Sequence, residues 1–118
     1  MVFSLIYVAL GGAIGAVMRF CVGLMVPFPF GTLTVNVIGS FAMGLAFVAL
    51  ADRGLERWAP FLMTGVLGGF TTFSAFSLDT YKLVEAGRIT AASGYAAASV
   101  VLSMIALFAA IGLMRGLS

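Results

Sequence analysis

The chain has 118 residues, of which 63% are hydrophobic and 8% charged, with no His and a net charge of +2, and its mean hydropathy is +1.21. A soluble domain carries about 25% charged residues, so this composition describes an all-α integral membrane protein, read as one transmembrane domain over residues 1–118. The six basic residues form no cluster, which excludes nucleic acid as a partner, and the single Cys21 leaves no internal disulfide and reads as a small apolar filler.

The first element is expected over about 3–25. Its opening, "MVFSLIYVALGGAIGAVMRF", has no basic residue ahead of the apolar run and no cleavage site, so it reads as a spanning helix rather than a secretory signal. "VPFPFG", Val26 to Gly31, ends it, because Pro27 and Pro29 lack amide donors and bias the residues before them away from helix. A second helix is expected over about 32–51, a third over 58–85 and a fourth over 89–114, joined by "DRGLER" and by a turn in "EAGRIT". Each is near the roughly 20 apolar residues needed to cross a bilayer.

Inside the third of these, "GVLGGFTTFSAFS", Gly65 to Ser77, puts glycines and hydroxyls where lipid favours leucine. Gly68 and Gly69 are expected to loosen the helix, and Thr71 and Thr72 to restart it. A broken helix is tolerated at this depth only where protein or a cavity covers the backbone, and its ends bind ions: freed carbonyls suit a cation, freed amides an anion.

The spans carry no Asp, Glu, His or Lys at mid-depth, so there is no proton relay and no carboxylate for a cationic substrate. No Ser/His, Cys/His or metal-ligand cluster is present to make the chain an enzyme. What remains are neutral hydrogen-bonding groups and aromatics. Asn36 and Ser40 lie one helical turn apart on one face, either bonding between helices or offering an amide and a hydroxyl to an anion. Phe73 and Phe76, three residues apart, share a face with Ser77 beside them. Such a pair is ordinary packing, or else two positive ring edges along a narrow path.

Counting spans puts Arg53, Arg57 and Arg115 on one side of the membrane and Arg19, Lys82 and Arg88 on the other. This balance gives no preferred orientation, and a chain inserted both ways builds an antiparallel, dual-topology homodimer. Small residues four apart, Gly11 with Gly15, Ser40 with Gly44 and Gly65 with Gly69, suit close helix packing. The reading from residues alone is a dimeric pore for a small, hard anion. The alternative is a small dual-topology four-helix multidrug exporter, which relies on a first-span carboxylate that this chain lacks.

The run "GVLGGFTTFSAFS" is very similar to the third-span signature of the Fluc/CrcB family of fluoride channels, and "GTLTVNVIGS" resembles that family's second-span motif. "GGAIGAVMRF" and "GYAAASVVLS" resemble its first and fourth spans, so the match covers nearly the whole chain. The resemblance implies four helices with a broken third, assembled as an antiparallel dual-topology homodimer with two pores in the plasma membrane, the inner membrane of a bacterium. It implies passive, fluoride-selective export that confers fluoride resistance. It further implies a structural Na+ at the dimer centre, held by the backbone carbonyls of Gly68 and Thr71 from both subunits. By motif position Asn36 is the pore amide, Phe73 and Phe76 the aromatic box, Ser74 part of the polar track, Arg19 part of an electropositive vestibule and Tyr95 a fourth-span hydroxyl near the pore.

One position departs from the family's usual "TTFSTF": Ala75 stands in place of a second hydroxyl, with Ser74 or Ser77 expected to compensate. Asp79, Lys82 and Glu85 read as a solvated last turn of the third helix, Trp58 and Tyr81 as interfacial anchors, and Asp52, Arg53, Glu56 and Arg57 as a solvated loop.

Overall fold

The computed structural model describes residues 1–117 as an all-helical chain. Four stretches are long and apolar enough to cross a membrane: Val2–Met25, Phe30–Asp52, Glu56–Glu85 and Ile89–Gly116. The first and second are the helices α1 (Val2–Met25) and α2 (Phe30–Asp52). The third is composite. A 3-10 turn at Glu56–Trp58, a wide π-type helix at Pro60–Leu67 and a closing α-turn, α3 (Gly68–Phe70), make its first half; α4 (Phe73–Glu85) makes its second. The fourth is α5 (Ile89–Leu117).

The connections follow from local chemistry. α1 stops where Val26 turns extended ahead of Pro27, as a residue preceding proline is pushed to do. After α2, Gly54 adopts φ 65°, and Leu55 N–H and Gly54 N–H return to the carbonyls of Leu50 and Ala51 at 2.8 and 3.3 Å. After α4, Gly87 adopts φ 79°, and Arg88 N–H and Gly87 N–H return to Leu83 and Val84 at 2.9 Å each. Both are the paired 6→1 and 5→2 closure that a left-handed glycine allows, and both satisfy carbonyls at a helix end.

Two of the small-residue pairs meet each other. α1 packs backbone to backbone on the first half of the third span, so a Cβ at Gly11 would strike the Phe61 carbonyl and one at Gly15 the Val66 carbonyl. From the other side, a Cβ at Gly69 would lie 2.6 Å from the Gly12 carbonyl. The third pair splits: Gly44 admits α5, whose Leu107 carbonyl would lie 2.7 Å from an added Cβ, while Ser40 faces a cavity described below. α4 packs instead on α5 through a buried cluster of Phe76, Leu83, Ala92 and Tyr95, with Leu33 and Ala96 against it.

Two expectations need correction. Gly68 and Gly69 stay helical, and the chain leaves the helix at Thr71 and Thr72; the glycine at 69 serves close approach to α1 rather than loosening. Asp79 is not solvated: it is 8% exposed, because α4 turns it toward α5, where Tyr95 donates to it.

Between 11% and 28% of the residues in the hydrophobic stretch of each span are buried within the chain, so most apolar side chains face outward, as they do where lipid or another subunit covers them. The tight backbone contact yields a test. Gly15→Val should destabilise the protein by about 1–3 kcal/mol through overpacking, measured by thermal denaturation in detergent. Gly12→Ala, whose added Cβ meets nothing within 4 Å, should leave the midpoint unchanged or raise it by a few degrees, because it creates no clash and alanine is the better helix former.

Candidate ion pathway at the helix break

Thr71 (φ −91°, ψ 157°) and Thr72 (φ −154°, ψ 121°) are extended, so the third span loses its regular hydrogen bonding between two helical halves. The amides of Thr71, Thr72 and Ala75 each find a specific acceptor. Thr71 N–H and its hydroxyl both donate to the Leu67 carbonyl at 3.0 Å. Thr72 N–H, which in an unbroken helix would donate to Gly68, goes instead to Asn36 Oδ1 at 2.8 Å. Asn36 Nδ2 in turn donates to the Thr72 carbonyl at 3.0 Å, so one amide side chain on α2 pairs with both polar groups of one peptide residue. Ala75 N–H, the helical partner of Thr71, goes to Thr72 Oγ1 at 3.1 Å, an N-cap of the kind threonine supplies. Arg19 Nε donates to the Gly69 carbonyl at 3.1 Å, a cation at a helix C-terminus, where the dipole favours it.

The consequence is electrostatic. The carbonyls of Gly68 and Thr71 have both lost their helical donors to other acceptors, while their neighbours at Leu67 and Gly69 are bonded. Gly39 makes room for this arrangement, since a Cβ there would strike the Thr71 methyl.

Two cavities flank the break, and Thr72 lines both. The first, about 360 Å³, lies between α2, the break and α5, with Asn36, Ser40, Thr71, Ser99 and Ser103 among its polar lining and Phe73 and Phe76 along it. The Phe73 and Phe76 rings meet edge-on, centroids 5.3 Å apart at 66°. Phe76 is buried between Phe73 and Tyr95, the latter at 5.6 Å, whereas Phe73 is 75% exposed. The Ser99 and Ser103 hydroxyls, one turn apart on α5, are buried; Ser103 finds no hydrogen-bond partner, and Ser99 has only the Tyr95 hydroxyl beside it. Buried polar groups are ordinarily paired, and these two border the cavity. The second cavity, about 280 Å³, is lined by Arg19, Thr32 and Ala75 among others.

The structure thus gathers Asn36, Thr71, Phe73 and Phe76 at one cavity and places Arg19 at the other. Gly68 lies nearby in the last turn of the first half-helix. Asn36 spends one of its two N–H donors and its oxygen on Thr72, leaving one donor. The Ser74 hydroxyl pairs with Thr72 Oγ1 at 3.2 Å. Ser77 donates to the Phe73 carbonyl at 3.0 Å, so its proton is spent within its own helix. Tyr95 does not line either cavity, and its hydroxyl donates to Asp79 Oδ2 at 3.2 Å. Ala75 faces the Arg19 cavity rather than the aromatic one, so the missing hydroxyl is absent from that side. Sequence reasoning missed Ser99 and Ser103; their signal was the i, i+4 hydroxyl pair within "GYAAASVVLS". Among the described residues no three His, Cys, Asp or Glu side chains gather to hold a metal, so the oxygen donors offered at the break are carbonyls.

The family model described as CrcB-like protein, Camphor Resistance (CrcB), matches residues 6–112. The chain is 53% identical over 119 residues to a fluoride-specific ion channel FluC from Paracoccus denitrificans (strain Pd 1222), covering 97% of this chain and 96% of that one. It is 53% identical over 122 residues to one from Cereibacter sphaeroides (strain ATCC 17029 / ATH 2.4.9), covering 98% of each, and 51% identical over 121 residues to one from Roseobacter denitrificans (strain ATCC 33942 / OCh 114), covering 96% of each.

Removing the two-point clamp tests its role at the break. Asn36→Ala deletes two hydrogen bonds worth about 0.5–1.5 kcal/mol each, so hydrogen exchange of the Thr72 amide should rise about tenfold or more, read by mass spectrometry on peptides spanning residues 70–76. Unchanged exchange would mean that the extended residues hold their shape without α2.

Proposed function

The chain belongs to the CrcB family, and on that premise we propose that it is a fluoride-selective channel, passing fluoride passively out of the cell through the plasma membrane as a multi-pass protein and conferring fluoride resistance. It is a transporter and not an enzyme. The observation that carries this reading is the first cavity: two buried hydroxyls, Ser103 without a partner and Ser99 beside the Tyr95 hydroxyl, border the same space as the Phe73 and Phe76 pair. Hydroxyl protons and ring edges are weak positive partners for a small anion. Conduction requires that weakness, since a site must release the ion it binds.

In this mechanism Arg19, at the second cavity, attracts the anion to a vestibule. Asn36 offers its remaining N–H, Ser74 adds a hydroxyl at the start of α4, and Phe73 and Phe76 line the path. Tyr95 serves the path from behind Phe76. The chain is read as an antiparallel, dual-topology homodimer: the three-to-three split of basic residues supports insertion both ways, and the 75% exposure of Phe73 supports a second copy covering that ring. The Gly68 and Thr71 carbonyls suit a Na+ ion, because both are stripped of their helical donors and hard cations take oxygen ligands. A bound Na+ would neutralise the carbonyl dipoles of two apposed breaks, with two oxygens from each copy.

The alternative of a four-helix multidrug exporter gains no support from the relatives, which are fluoride-specific ion channels, and α1 has no acidic residue for a cationic substrate.

Proteoliposomes loaded with fluoride should empty through the purified protein while chloride stays trapped; equal loss of the two would remove selectivity. Phe76→Ile should slow fluoride efflux about tenfold or more, the scale of losing about 1.4 kcal/mol of aromatic edge contact, with dimer elution unchanged. For topology, a reporter fused after residue 118 should be found on both membrane faces in comparable amounts, and a one-sided signal would overturn dual insertion.

A further inference from the structure

Asp79 is a buried carboxylate that the proposed pathway does not use, and an anion channel has reason to avoid one. It is 8% exposed, on α4 one turn beyond Phe76, and its Oδ2 accepts the Tyr95 hydroxyl from α5 at 3.2 Å. Tyr95 is itself 6% exposed, and its ring lies 5.6 Å from that of Phe76, which in turn meets Phe73 at 5.3 Å. Thr80 donates to the Phe76 carbonyl at 2.9 Å, so the backbone here is anchored, while the Phe76 ring depends on what flanks it.

We propose that Asp79 is a positioning residue for the aromatic pair: it fixes the Tyr95 hydroxyl, and through the Tyr95 ring it holds Phe76 edge-on to Phe73. The geometry has the required links. A phenylalanine ring has no polar handle of its own, whereas tyrosine carries one that seeks a partner when buried. The hydrogen bond crosses from α4 to α5 one turn past Phe76, and so sets the separation of the two helices beside that ring. The Tyr95 proton goes to Asp79, so the carboxylate presents an occupied oxygen toward the cluster. Asp79 acts as an acceptor, and its charge is incidental to the role.

This inference rests on the fluoride-channel reading, and the experiment separates the two. Fluoride and chloride efflux are measured in proteoliposomes for the wild type, Asp79→Asn, Asp79→Ala, Tyr95→Phe and the double variant Asp79→Ala/Tyr95→Phe. In parallel, 4-fluorophenylalanine at position 76 reports ring environment by 19F NMR in detergent, independently of transport. Asp79→Ala and Tyr95→Phe should each slow fluoride efflux about tenfold, lower the fluoride-to-chloride ratio and shift or broaden the fluorine resonance. The double variant should match the singles within about twofold, because two residues acting through one contact are not additive. Asp79→Asn, which keeps an acceptor oxygen, should restore both efflux and resonance. The inference is overturned if Asp79→Asn behaves like Asp79→Ala, if the double variant falls well below both singles, or if the fluorine resonance ignores Asp79. A wild type that retains fluoride would overturn the channel reading instead, and the resonance would still decide the positioning role.

Discussion

Everything at the centre of this molecule depends on one constraint: a polypeptide that stops being helical at membrane depth must still satisfy its backbone. Water is not there to do so, and each unpaired group costs several kcal/mol. The chain meets the constraint at Thr71 and Thr72 with side chains from three places: Asn36 on α2, the Thr72 hydroxyl on the break itself and Arg19 on α1. The satisfaction is selective. The Thr71, Thr72 and Ala75 amides all find acceptors, whereas the Gly68 and Thr71 carbonyls lose the amides that would have served them. The break therefore presents excess oxygen on one side, the polarity that calls for a cation, while the hydroxyls bordering the neighbouring cavity present excess protons.

The two halves of the third span are held by different neighbours, which explains why the break can be so abrupt. The first half is pressed on α1 through Gly11, Gly15 and Gly69 with no side chain between the backbones. The second is carried by α5 through the cluster around Phe76, Leu83 and Tyr95. Neither contact depends on continuous hydrogen bonding between the halves. Asn36 and Arg19 then tie the loose ends to α2 and α1. Mutual burial in a membrane gains little from the hydrophobic effect between helices, so these close backbone contacts and a few hydrogen bonds carry the fold.

Much of this was legible in the sequence because the signals are local. Pro27, Gly54 and Gly87 mark the ends of spans through backbone restrictions that need no tertiary knowledge. The glycine pairs announced close packing, although only the structure shows that Gly11 and Gly15 meet the Gly65 to Gly69 face. Glycine reads as the weak point of the run, which puts the break two or three residues too early; threonine breaks the helix by offering its hydroxyl as a cap. Asp79 was misplaced for a related reason. Its i, i+3, i+6 spacing with Lys82 and Glu85 suggests a charged face, but six residues turn a helix through well over one revolution, and Asp79 ends facing α5 while Glu85 stays exposed near Tyr81. Ser99 and Ser103 escaped notice because a serine in a span is ordinarily bonded back to its own helix, and only the structure reveals that these two are not.

The distribution of fixed charge is the last step of the argument. Arg19 spends its Nε on a carbonyl and borders a cavity separate from the one the rings line, and Asp79 is covered by Tyr95 behind Phe76. Neither full charge lines the first cavity. In a medium of low dielectric an uncompensated arginine there would bind a small anion too tightly to release it, and a bare carboxylate would exclude it. Hydroxyls, one amide and two ring edges lie between those extremes, so the cavity's neutrality is itself the feature suited to passage.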